Sequence, residues 1–142
     1  MKFLLVYPDR YFGVKNRRKM LVYVPPTGLL TLAGMLPKDA DVEFVDERIN
    51  PIDWDTGADI VCITGFTADA VRMYEIADRF HSLGKKVILG GIHTTTMPEE
   101  ALMHSDSIVV GEAEGVIKEM LYDIVQFRWY LEEKSGPNLS RM

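Results

Sequence analysis

Apolar residues along this chain gather in short runs, parted by stretches rich in polar residues, glycine and proline. Lys2-Phe-Leu-Leu-Val-Tyr7, Ala58-Asp-Ile-Val-Cys-Ile-Thr64 and Val87-Ile-Leu89 are almost unbroken, as strands covered on both faces of a parallel sheet are. Asp41-Val-Glu-Phe-Val-Asp46 alternates instead, which predicts a half-exposed strand at or near a sheet edge. Ser107-Ile-Val-Val-Gly111 supplies a fifth strand. The helical repeat fills the gaps. Leu29, Leu32, Ala33 and Leu36 recur at helical spacing after Pro25-Pro26-Thr27-Gly28, and Pro37 ends that helix. Met73, Ile76, Ala77, Phe80 and Leu83 give a second helix one apolar face, with Thr67 as its expected N-cap and Gly84 as its stop. Pro98, followed by Glu99 and Glu100, opens a short helix that runs to about His104. A last helix over about residues 114–129 turns Ile117, Met120, Leu121 and Ile124 to one side.

Strands alternating with helices imply right-handed crossovers and a parallel sheet. The order 2-1-3-4-5 puts the uniformly apolar first and third strands inside and the alternating second strand at the edge. The predicted class is therefore α/β, a five-stranded parallel sheet with helices on both faces, built by residues 1–130. Residues 131–142 read as a tail or the start of a linker. A ligand crevice is expected at the carboxyl ends of the strands, where the chain reverses between strands 1 and 3. Four loops meet there: residues 8–26, 64–69, 90–97 and 111–115. Each carries glycine at or near a strand end, namely Gly13, Gly65, Gly90 with Gly91, and Gly111. Loops so poor in side chains suit a large flat ligand gripped by backbone and hydroxyl groups, although turn geometry alone accounts for each glycine singly. The first loop is long enough to point to function, and its basic cluster, Lys15 to Lys19, reads first as a solvated tip.

Bulk properties narrow the choice of ligand. With 16 Lys and Arg against 21 Asp and Glu, the net charge is −5, which disfavours nucleic acid and anionic membranes as partners. The single cysteine, Cys62, excludes an internal disulfide or a paired-cysteine metal motif. Its place within an apolar strand reads as an inert core thiol. No apolar run reaches the roughly 20 residues of a membrane span, and the expected location is the cytoplasm.

Catalytic constellations are scarce. No nucleophile elbow, phosphate-binding loop or paired-histidine zinc motif occurs. Asp46 ends its strand as a ribose-binding acid would, yet no G-x-G-x-x-G precedes it. Asp9 sits where a receiver-type sheet is phosphorylated, without evident acidic companions or a switch lysine. His93 is the one histidine in a predicted crevice loop; His81 and His104 fall on helices and read as surface residues. Glu112 and Glu114 precede a helix, where acids usually complement its dipole.

Tyr23-Val-Pro-Pro-Thr-Gly-Leu-Leu-Thr-Leu-Ala-Gly-Met-Leu36, Val45-Asp46, Ala58 to Thr64, Gly90-Gly-Ile-His-Thr-Thr-Thr-Met-Pro-Glu-Glu-Ala101 and Val109-Val-Gly-Glu-Ala-Glu114 occur in this order. Together they resemble the N-terminal cobalamin (B12)-binding domain of B12-dependent radical SAM enzymes. The resemblance implies a flavodoxin-like, Rossmann-like sheet that holds a corrin over its strand ends, facing a radical SAM domain supplied in cis or in trans. It also implies roles for particular residues. Gly65, Phe66, Thr67, Gly90, Gly91, His93, Thr94, Gly111 and Glu112 would line the nucleotide tail and corrin rim. Pro25, Thr27 and Gly28 would stand at the adjoining helix start, and Asp9 and Gly13 in the first loop. The corrin carries its own reactive cobalt, which suits a chain without a catalytic constellation. The D-x-H-x-x-G motif that gives cobalt a histidine in mutases is absent, since Asp9-Arg-Tyr-Phe-Gly13 has no histidine and is one residue short. A bound corrin is therefore expected base-off, with His93 at the tail or a helix terminus. The C-x-x-x-C-x-x-C motif is absent too, so no iron–sulfur cluster is expected in this chain. The rival expectation is a structural or docking domain of the same fold with an empty crevice.

Overall fold

The computed structural model describes residues 1–15, 23–120, 122 and 123. The basic cluster after Lys15, part of the apolar patch that follows it, the last helix beyond residue 123 and the tail lie outside these residues. Five parallel strands, β1 (Lys2–Tyr7), β2 (Asp41–Asp46), β3 (Ile60–Thr64), β4 (Lys86–Gly90) and β5 (Ser107–Ile108), stand in the order β2-β1-β3-β4-β5. This is the flavodoxin-like α/β sheet that the strand patterns predict. The edge strand β2 is half-exposed where its sequence alternates, whereas Phe3 to Val6 of β1 are buried.

Successive strand residues point to opposite faces, and each face has its own core. Leu4, Val6, Val61, Ile63, Val87 and Leu89 pack under helix α2 (Ala70–Ser82), through Met73, Ile76, Ala77 and Phe80, and under Ala101 of α4 (Pro98–Leu102). Phe3, Leu5, Tyr7, Ile60, Cys62 and Ile88 pack on the other face under Leu29 and Leu36 from α1 (Thr27–Met35) and its end. Burying a side chain of this size stabilises by roughly 1.5–3 kcal/mol, so this inward set decides the layering.

Several local expectations change. Thr67 does not cap α2: it opens a 3-10 turn, Thr67–Asp69, whose start is closed by the Asp69 carboxylate accepting the Phe66 N–H at 2.8 Å, and Asp69 then stands at the N-cap position of α2 without a side-chain capping bond. Leu83 is exposed, because α2 ends at Ser82 and Leu83 is its C-cap, with the turn at Gly84, whose φ is +77°, directly after it. The expected polar loop after β4 contains a helix, α3 (Ile92–Thr96). β5 is shorter than its apolar run, and a 3-10 turn, Ala113–Gly115, comes before helical residues 117–120.

Candidate functional site

At the carboxyl ends of β1, β3 and β4, on the α1 face, lies a cavity of about 570 Å³. Its floor is the buried row Tyr7, Leu29, Cys62, Ile88 and Val109. Those side chains reach it because they occupy the α1-facing positions of their strands and the inner stripe of α1. Burial pushes the Cys62 thiol up to about 12, so it stays protonated, as expected of a core thiol.

Around the mouth stand Pro25, Thr27 and Gly28 from the start of α1, Gly65 and Phe66 after β3, Gly90 and Gly91 after β4, and Gly111 and Glu112 after β5. The structure thus brings together most of the predicted site residues. Asp9 instead lines a neighbouring cavity of about 290 Å³ with Arg10, Tyr11, Arg48 and Asp69. Its buried carboxylate accepts the Tyr11 N–H at 3.0 Å. Gly13, Thr67, His93 and Thr94 line neither of these cavities.

The glycines differ in what they do. Gly91 has φ +91°, and an added Cβ would lie 2.2 Å from Thr64 Oγ1, so β4 can leave past the β3 corner only as glycine. Gly65 is tight as well, though less so, its Cβ position lying 2.7 Å from Met73 Sδ. Gly28, by contrast, has nothing within 4 Å of that position. Its lack of a side chain leaves space at the mouth.

His93 faces away from the cavity, into the layer of α2 and α4. Its Nε2 lies 2.9 Å from Tyr74 Oη and 3.2 Å from Glu100 Oε1, and its Nδ1 lies 3.3 Å from Thr67 Oγ1. Tyr74 also donates to Glu100 at 2.8 Å. Burial and the Glu100 carboxylate hold the Tyr74 hydroxyl above its usual range, while the Tyr74 hydroxyl and His93 hold Glu100 below its own. Thr94 is buried, donating to the Gly90 carbonyl.

Thr95 and Thr96, which face the cavity, were not predicted. Spacing could have found them: on a helix opened at Gly91, they fall on the opposite side from His93 and Thr94. Thr95 Oγ1 donates to the Gly91 carbonyl and accepts the Gly111 N–H at 2.9 Å, joining two of the crevice loops. Sequence also missed a clamp on the first connection. Arg48 meets Asp46 through Nε and Nη2, donates to the Val24 carbonyl and lies between the rings of Tyr7 and Tyr23. The Tyr23 hydroxyl donates to Asp46 at 2.8 Å. Asp46 is thus engaged within the protein. A second clamp joins Arg10 to Asp69, and a third joins Arg72 to Glu47, which accepts the Asp9 N–H.

Among the described residues, no three His, Cys, Asp or Glu side chains stand close enough to hold a metal ion, and no helix is long and apolar enough to cross a membrane. The model of the B12 binding domain family matches residues 15–121. The chain is 44% identical over 98 residues to bacteriochlorophyllide d C-8(2)-methyltransferase of Chlorobaculum tepidum, covering 68% of this chain and 22% of that protein. It is 38% identical over 130 residues to bacteriochlorophyllide d C-12(1)-methyltransferase of the same organism, covering 87% and 27%. It is 31% identical over 110 residues to hopanoid C-2 methylase of Rhodopseudomonas palustris, covering 73% and 21%. The chain thus spans about a quarter of the length of these curated relatives. No solved structure matches it at a significant level. With a family match across most of its length and a parallel sheet whose crevice opens at the strand ends, the chain belongs to the B12-binding domain family.

Proposed function

We propose that this chain is a cobalamin-binding module that holds a base-off corrin over the carboxyl ends of its strands. It would serve a radical SAM domain, in cis or in trans, in methyl transfer or related radical chemistry. The observation that carries this reading is the cavity of about 570 Å³ under α1, with an apolar floor and a mouth of glycines and threonines, all of its lining but Tyr7 inside the segment matched to the family. The methyltransferase names of the relatives support methyl transfer. In this reading residues 1–130 are the binding domain and residues 131–142 a tail or linker.

The residues present fit the group. Gly28 leaves open space at the mouth, and Gly90, whose added Cβ would lie 3.7 Å from Val109, keeps the wall beside it low. Cobalamin would bring its own reactive cobalt. The protein's part is to bind and orient: Leu29, Ile88 and Val109 exclude water from the floor, Thr95 fixes the β4 and β5 loops relative to one another, and Arg48 anchors the segment entering α1.

Hydroxocobalamin mixed with the purified chain should co-elute with it in gel filtration. Gly28→Trp, which the open backbone environment tolerates, should fill the mouth and abolish co-elution while the circular dichroism spectrum stays that of the parent. Corrin eluting wholly with the small molecules, even at high concentration of the parent chain, would leave the structural or docking alternative.

A further inference from the structure

We propose that the cavity beneath α1 selects corrinoids by the polarity of their lower base, taking a benzimidazole-type tail in preference to a purine tail. This rests on the cobalamin-binding reading above and extends it to the class of corrinoid. The corrin ring is a broad plate fringed with amide arms. The nucleotide tail is the narrow part.

What the tail meets there is apolar. Leu29, Cys62, Ile88 and Val109 are buried in the floor, and Leu32 and Met120 stand half-buried beside them. Of the polar side chains that line the cavity, Thr27, Thr31, Glu112 and Glu114 are exposed and Thr64 is half-buried at the end of β3, whereas the others are already engaged. Tyr7 turns its hydroxyl to Asp69, and Thr95 both donates to the Gly91 carbonyl and accepts from Gly111. Thr96 gives its hydrogen to the Ile92 and His93 carbonyls. A thiol is a weak partner. A purine carries ring nitrogens and, in adenine, an exocyclic amine, more polar atoms than the Thr64 hydroxyl can pair, so most of them lose water against the apolar floor without a replacement hydrogen bond. Dimethylbenzimidazole presents methyl groups along the same edge, and these gain from burial.

The test compares cobalamin, its adenine-tailed counterpart and cobinamide, which lacks the nucleotide. All are reduced to the cob(I) state, where no tail is bound to cobalt in solution, and affinity for the purified chain is read by anaerobic ultrafiltration. Cobalamin should bind about ten-fold or more tightly than the adenine-tailed form, the factor that one buried unpaired polar group costs. Cobinamide should bind more weakly than cobalamin. Leu32→Gln, which sets an amide on the cavity wall, should narrow the difference between the two tailed forms. Equal binding of all three would show that the corrin is held and the tail is not in the cavity, so the selectivity falls while the cobalamin reading stands. Tighter binding of the adenine-tailed form would likewise overturn it. Retention of none of the three would overturn the cobalamin reading and the selectivity with it.

Discussion

The carboxylate of Asp46 holds Arg48 through both oxygens and takes the Tyr23 hydroxyl, with its side chain 3% exposed. Burial pushes its proton affinity up, but the hydrogen bonds from Arg48 and Tyr23 outweigh burial and hold the carboxyl below the ordinary aspartate value. Because the unfolded chain then takes up this proton at a higher pH than the folded one, the contribution is full above the ordinary value and fades as pH falls through the folded value. Asp46→Asn should therefore lose about 1–3 kcal/mol at neutral pH, the scale of a hydrogen bond to a charged group. In urea denaturation its deficit should shrink toward pH 3; a deficit constant with pH would show that charge is not what the clamp uses. The end-of-strand acid was legible in the sequence. Its partner Tyr23 was not, because a contact across 23 residues leaves no local pattern. The same limit hid the group around His93, in which Tyr74, Thr67 and Glu100 come from three different segments.

At the scale of elements, periodicity located every strand and the second helix, because burial on one face leaves a repeat of two or 3.6. It failed at α3. His-Thr-Thr-Thr is a poor helix former by propensity, and the hydroxyl bonds of Thr94, Thr95 and Thr96 to the carbonyls four residues back do not favour a helix; the helix is one short turn held by tertiary burial of His93 and Thr94. The glycine pair before it was legible as a pair, but its division of labour needed coordinates. Gly91→Ala would force a methyl group against Thr64 in a left-handed backbone and should cost about 2–4 kcal/mol, strain and overpacking together. Gly90→Ala meets Val109 at an ordinary 3.7 Å and should change stability by less than about 1 kcal/mol. Urea midpoints of the two variants check this, and equal losses would show that the pair acts as one rigid turn.

For the whole molecule, the strand order followed from which runs were apolar throughout and which alternated, since only a central strand needs both faces covered. The division of side chains between the faces determines the surroundings of a bound cobalt. All three histidines of the chain sit with the α2 and α4 layer: His81 pairs with Asp106 at 2.7 Å, His104 with Asp78 at 2.8 Å, and His93 with Tyr74 and Glu100. The cavity opens on the opposite face of the sheet, under α1. For His93 to reach that side, its buried ring would have to leave Tyr74, Thr67 and Glu100 together, each lost hydrogen bond costing about 0.5–1.5 kcal/mol. Cob(II)alamin bound to this chain should therefore be base-off with no imidazole below it. Its electron paramagnetic resonance spectrum should show cobalt lines without the triplet splitting of an axial nitrogen, and His93→Ala should leave that spectrum unchanged. Triplets that vanish in His93→Ala would make His93 the ligand; triplets that persist would mean that the tail's own base stays on cobalt and has not entered the cavity.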